Sequence, residues 1–119
     1  MTQGRLTTHV LDTARGCPAA GVRLSLWRLE GAGRRCLLEA VTNADGRTDA
    51  PLLGPGALEA GVYELVFAAG AYLRATGAAG AEPPFLDEVP VRFGVSDAQA
   101  HHHVPLLLAA HGYSTYRGS

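Results

Sequence analysis

The chain has no lysine: all 10 of its basic residues are arginine, set against 11 Asp and Glu, for a net charge of -1 over 119 residues. So balanced a surface carries no electrostatic footprint for nucleic acid or for an anionic bilayer, and neither is expected as a partner. Cysteine is almost as scarce. Cys17 and Cys36 stand in no C-x-x-C or other ligand spacing, which argues against a cysteine metal centre or a dense disulfide scaffold. Two buried or half-buried thiols in a reducing compartment are the expected state. Long apolar runs are missing too, since no stretch reaches the roughly 18 residues that a membrane span needs. The opening MTQGRLTTHVLDT offers no apolar core of a secretion signal, so a soluble, cytoplasmic protein is expected. No repeat or linker interrupts the chain, and residues 1–119 read as one domain. A chain of this size buries roughly 65–70% of the surface that its unfolded form exposes, enough for one core without staples.

What the sequence does contain is alternation. Leu6 to Thr13, Val22 to Leu29, Arg35 to Thr42, Val62 to Ala68 and Val89 to Val95 each sort their side chains into two sets, as strands do. Gly31-Ala32-Gly33 joins the second and third of these runs into a hairpin, while Arg15-Gly16-Cys17-Pro18 ends the first. Asn43-Ala44-Asp45-Gly46 is a turn, with Arg47 just past the bend. Ala69 to Ala79 is the one segment with helical leanings, limited to about two or three turns by Gly70 and Gly77 and stopped by Pro83-Pro84. Seven to eight short strands, turn signals about every ten residues and one brief helix predict an all-β protein, an antiparallel β-sandwich.

The end of the chain, HHHVPLLLAAHGYSTYRGS, reads as a further hairpin turning at His111-Gly112. Alternation places His101, His103, Pro105 and Leu107 on one face and His102, Val104, Leu106 and Leu108 on the other. The closing strand sorts into Ser114, Tyr116 and Gly118 against Tyr113, Thr115 and Arg117. Pro105 lacks the donor that a ladder needs, which calls for a bulge, an edge or an interruption at that point. Three histidines in a row invite a zinc reading, but consecutive strand residues diverge and leave only His101 and His103 as a local pair, with His9 a possible third. No metal or cofactor is expected.

Several of these motifs together resemble the transthyretin family, in its 5-hydroxyisourate hydrolase branch: His9-Val10-Leu11-Asp12 with Gly16-Cys17-Pro18-Ala19, Thr42-Asn43-Ala44-Asp45-Gly46-Arg47, Pro83-Pro84-Phe85-Leu86 before Arg92-Phe93-Gly94, and the closing YRGS. The resemblance covers nearly the whole chain. It implies a transthyretin-like sandwich, a homotetramer built as a dimer of dimers with sites at the subunit interface, and hydrolytic opening of 5-hydroxyisourate in urate breakdown. His9 matches the family's N-terminal catalytic histidine, Arg47 the arginine of its Asn-x-Asp-Gly-Arg motif, and His103 the second histidine of its His-Tyr-His motif, whose middle position here is His102. Thr7, His9 and Leu11, His103, Pro105 and Leu107, and Ser114 and Tyr116 are expected to form one mixed polar and apolar surface.

On this reading His9 and His103 share the proton work, because imidazole titrates near neutral pH. Arg47 orients a planar, oxygen-rich ring and stabilises the developing oxyanion with its fork of donors. Ser114 and Tyr116 donate to substrate, and Arg117 supports the terminus, pairing with the Ser119 carboxylate or an acidic neighbour. No Ser-His-Asp arrangement or reactive-cysteine motif offers a covalent route, so direct attack by water is favoured. The competing reading is a small-molecule carrier without catalysis, as transthyretin itself is; a hormone channel wants apolar walls, whereas this chain offers two histidines and an arginine.

Overall fold

Strand alternation decides the architecture, and the computed structural model, which describes residues 4–118, shows how. β1 (Leu6–Asp12) buries Leu6, Thr8, Val10 and Asp12 and leaves Thr7, His9 and Leu11 half-buried on the opposite face. β2 (Cys17–Pro18) folds straight back on β1, pairing Leu11 with Pro18 and Asp12 with Cys17. The Gly-Cys-Pro segment expected to end the first strand thus supplies a two-residue strand of its own. β3 (Arg23–Glu30) and β4 (Gly33–Val41) form the expected hairpin, with a register shift at Leu26/Trp27. β5 (Gly61–Ala68) runs directly into α1 (Ala69–Thr76), and β6 (Glu88–Val95), β7 (His102–Ala109) and β8 (Gly112–Thr115) complete the chain.

Two four-stranded sheets result, ordered β2-β1-β7-β8 and β4-β3-β5-β6. Between them lie Leu6, Val10, Leu24, Leu26, Tyr63, Leu65, Phe67, Val89, Leu106 and Leu108, each at most 4% exposed. The protein is an all-β sandwich. Its pairings are antiparallel except one: β1 and β7 run parallel, with Thr7 opposite His103, His9 opposite Pro105 and Leu11 opposite Leu107. A parallel pair needs a long crossover, and nearly the whole chain lies between these two strands.

α1 keeps to the two or three turns that the sequence allows, ending where Gly77 takes the left-handed conformation (φ 78°) and donates back to the helix. Its Tyr72 hydroxyl donates to the buried carboxylate of Asp12 at 2.7 Å, tying the helix to β1. Pro105 sits in the middle of β7 with neither bulge nor break. The carbonyls of His103 and Pro105 accept from Gly118 N and Thr115 Oγ1, so both residues turn their peptide groups toward β8. The donor that Pro105 lacks would face that side too, and β8 pairing stops at Thr115, opposite Leu106. The ladder on that side is therefore interrupted where proline cannot support it and resumes as a bridge between His103 and Gly118.

Cys17 and Cys36 are free thiols; Cys17 is half-buried but Cys36 is exposed, contrary to the expectation of two shielded groups, because β4 is the outer strand of its sheet. No helix among the described residues is long and apolar enough to cross a membrane.

Candidate active site

The parallel register of β1 and β7 builds two walls of the site on the outer face of the first sheet, His9 on one strand and His103 on the other. The third wall is the turn that carries Arg47. Asn43 organises it: its Oδ1 accepts from the backbone N–H of Asp45 (2.9 Å) and of Arg47 (3.2 Å), and its own N–H donates to the Arg47 carbonyl at 2.7 Å. The turn docks on β1 through Val10 N–H to the Gly46 carbonyl (2.8 Å) and a bridge between His9 and Arg47. Gly46 adopts φ 75°, and a Cβ there would clash with the Val10 carbonyl and come within 3.2 Å of the His9 ring. Glycine is required at that position for both reasons. The short motif from Asn43 to Arg47 is thus a bracket that sets an exposed guanidinium beside the His9 ring.

Both imidazoles are held below the ordinary value of 6.5, by burial first and by the charge of Arg47 second. Around His9, the backbone and carboxylate of Asp45 act weakly in the opposite direction. For His103, the neighbouring rings of His9 and His101 add to the depression. Neutral rings with free lone pairs are the form in which imidazole accepts a proton. The His9 Nε2 is fully covered and makes no hydrogen bond among the described residues. His103 is fixed on two edges. Its Nδ1 lies 2.8 Å from the Thr7 hydroxyl, and the backbone of Gly118 packs so closely on its Cδ2 edge that a Cβ there would come within 2.8 Å.

Of the residues singled out from the sequence, His9, Arg47 and His103 come together. Ser114 is opposite Leu107 and so shares the face of His103. Tyr116 lies just past the end of β8, between the Leu106–Thr115 pair and the His103–Gly118 bridge; it is 58% exposed and, with Thr115 and Arg117, lines a groove against Val91–Gly94, His102 and Val104. No hydrogen bond joins it to His9, Arg47 or His103. The pairing expected between Arg117 and the Ser119 carboxylate lies outside the described residues. Thr7 was placed on this face by alternation, but its bond to His103 joins residues 96 apart, which no local signal reveals. Among the described residues, no group of three or more His, Cys, Asp and Glu is arranged to hold a metal ion.

A model of the HIUase/Transthyretin family matches residues 6–118. The chain belongs to this family. It is 61% identical to the 5-hydroxyisourate hydrolase of Mesorhizobium japonicum over 116 residues, covering 98% of this chain and 93% of that one. Among solved structures it is similar to an (S)-allantoin synthase, with a TM-score of 0.93 and 45% identity over 99% of this chain but only 44% of that one. Sea bream transthyretin in complex with thyroxine matches with a TM-score of 0.86 and 28% identity, over 96% of this chain and 94% of that one. One sandwich thus serves proteins named as enzymes and a transthyretin in complex with thyroxine, and what separates them has to be sought in side chains.

Proposed function

We propose that this protein is a 5-hydroxyisourate hydrolase, opening the ring of its substrate to 2-oxo-4-hydroxy-4-carboxy-5-ureidoimidazoline in urate breakdown. The observation that carries the reading is the convergence of two imidazoles, both held neutral, beside one exposed arginine. The carboxy and ureido groups of the product are what hydrolysis of a ring carbonyl–nitrogen bond leaves. Water attacks that carbonyl and gives a proton to one imidazole, the guanidinium of Arg47 stabilises the oxyanion, and the departing nitrogen takes a proton. Proton transfer of this kind is worth about 10²- to 10⁴-fold and oxyanion stabilisation about 10²- to 10³-fold. Ser114, on the same face, donates to substrate. Tyr116 joins the site only where a neighbouring subunit brings it across. The cluster lies on an open sheet face, so the reading includes a homotetramer, a dimer of dimers, whose second subunit walls the cleft, and a cytoplasmic setting in which the substrate is made.

The carrier reading, drawn from the transthyretin complexed with thyroxine, leaves the paired neutral imidazoles without a task. The deciding measurement follows the absorbance of freshly generated 5-hydroxyisourate with and without protein, beside a thyroxine-binding titration. Accelerated decay is expected. Decay at the spontaneous rate, with tight thyroxine binding, would overturn the enzyme in favour of the carrier, and sizing across dilution tests whether activity follows the tetramer.

A further inference from the structure

One hydroxyl joins two histidines at the edge of the site. Thr7 Oγ1 is 2.8 Å from His103 Nδ1 and 3.1 Å from His101 Nε2. A hydroxyl has a single hydrogen, so it gives that hydrogen to one ring and accepts from the other. Two arrangements follow. In the first, His103 Nδ1–H donates to Thr7 and Thr7 donates to His101, leaving His103 Nε2 a bare lone pair and a base. In the second, His101 Nε2–H donates to Thr7, Thr7 donates to His103 Nδ1, and His103 carries its hydrogen on Nε2, ready to give it away.

We propose that Thr7 is a positioning residue that sets the tautomer of His103, and that Thr7 and His101 form a relay which carries the cationic proton from His103 to the exposed ring of His101 and back within one turnover. The step balances. As His103 Nε2 takes the proton of the attacking water, its Nδ1 proton passes to the Thr7 oxygen and the Thr7 hydrogen passes to His101 Nε2. His103 is then neutral and His101 is the cation. When the departing nitrogen takes the Nε2 proton, the transfer reverses and His103 regains a hydrogen on Nδ1.

The placement of the charges favours this route. Around the half-buried ring of His103 stand Arg47 and His9 from neighbouring elements and His101 from its own, and Asp45, on the turn that carries Arg47, is the acidic group that acts on His9. A cation on His103 is opposed by burial and by Arg47, whereas His101 lies in solvent. The Gly118 backbone closes the Cδ2 edge of His103, so the ring has one orientation in which Nδ1 meets Thr7.

The rate part of this inference rests on the hydrolase reading; the tautomer part does not. The experiment therefore combines turnover with nitrogen-15 spectra of the histidine rings in the full-length protein and its Thr7→Val, Thr7→Ser and His101→Gln variants. Thr7→Val and His101→Gln are expected to lower kcat by about tenfold or more at KM within about twofold, and Thr7→Ser to restore it, since a serine hydroxyl keeps the proton path. The His103 ring signals should change in Thr7→Val and hold in Thr7→Ser. Equal loss in the serine and valine variants would reduce Thr7 to a packing role, and full kcat in His101→Gln would remove the relay. If the wild type fails on 5-hydroxyisourate, the hydrolase reading falls; His103 ring signals that then ignore both Thr7→Val and His101→Gln overturn this inference as well.

Discussion

His102 and His103 are consecutive, chemically identical, and belong to different parts of the molecule. His102 is 3% exposed, donates from Nδ1 to the Ala100 carbonyl (2.9 Å), and looks inward beside Val91, Val104 and Thr115. His103 stands on the outer face, anchored to Thr7 and set beside Arg47 and His9. The pleat alone separates them, since successive side chains of a strand point to opposite faces. Residue type therefore says little about role here; parity along β7 says most of it. The widest test of that difference is a pair of substitutions. His103→Asn should lower kcat/KM by about 10²- to 10⁴-fold with the sandwich intact by circular dichroism, because it removes a proton-transfer group. His102→Tyr, which restores the residue of the His-Tyr-His motif, should leave turnover near that of the wild type. Comparable losses from both would mean that parity does not assign the roles.

The outer face can be sharpened further through Arg47. Arg47→Gln should lower kcat by about 10²- to 10³-fold, as expected for a lost oxyanion partner. It should also move the acid limb of the kcat/KM profile. Arg47 holds both imidazoles down, second only to burial, so its removal lets them hold protons to higher pH and shifts the limb upward. A limb that stays in place would show that Arg47 does not act on the rings electrostatically. Gly46→Ala is the milder companion. A left-handed φ and a clash with the Val10 carbonyl should cost about 1–3 kcal/mol of stability, read from denaturant midpoints, with a partial loss of turnover as the bracket moves off His9.

The same contrast explains which features could be read before the fold was known. Parity in β1 and β7 is local, so the faces of His9, His102 and His103 follow from the residues alone, as do the β3–β4 and β7–β8 hairpins. The joining of His9 to His103 is not local. It depends on β1 lying parallel to a strand nearly the whole chain away, and nothing in an alternating pattern states which strands are neighbours. Arg47 was reachable by motif, but its position against His9 depends on Gly46 docking onto Val10. Tyr116 shows what counting by twos leaves out: the bridge of Gly118 to His103 continues the β8 register past Pro105, so parity keeps Tyr116 with Ser114 and Gly118, but it names no partner for an exposed side chain. The helix end, by contrast, is set locally and was legible, at the left-handed turn of Gly77.

The smallest expected effect concerns stability rather than rate. His103 titrates in the unfolded chain near the ordinary 6.5 and lower in the folded protein, where burial and then Arg47 oppose its charge. As pH falls below 6.5, the unfolded chain takes up the proton first, so unfolding is favoured; the decline begins near 6.5 and ends once pH has passed below the folded value. Above 6.5 both states are neutral and this group imposes no slope. Urea midpoints measured between about pH 8 and about pH 5 should therefore fall gently on the acid side, and His103→Gln should flatten that part of the curve, because glutamine carries no proton in either state. An unchanged slope in the variant would assign the acid sensitivity to other groups and would mean that the outer face imposes no measurable charge penalty on His103, which removes the physical reason for a neutral, proton-accepting ring at that position.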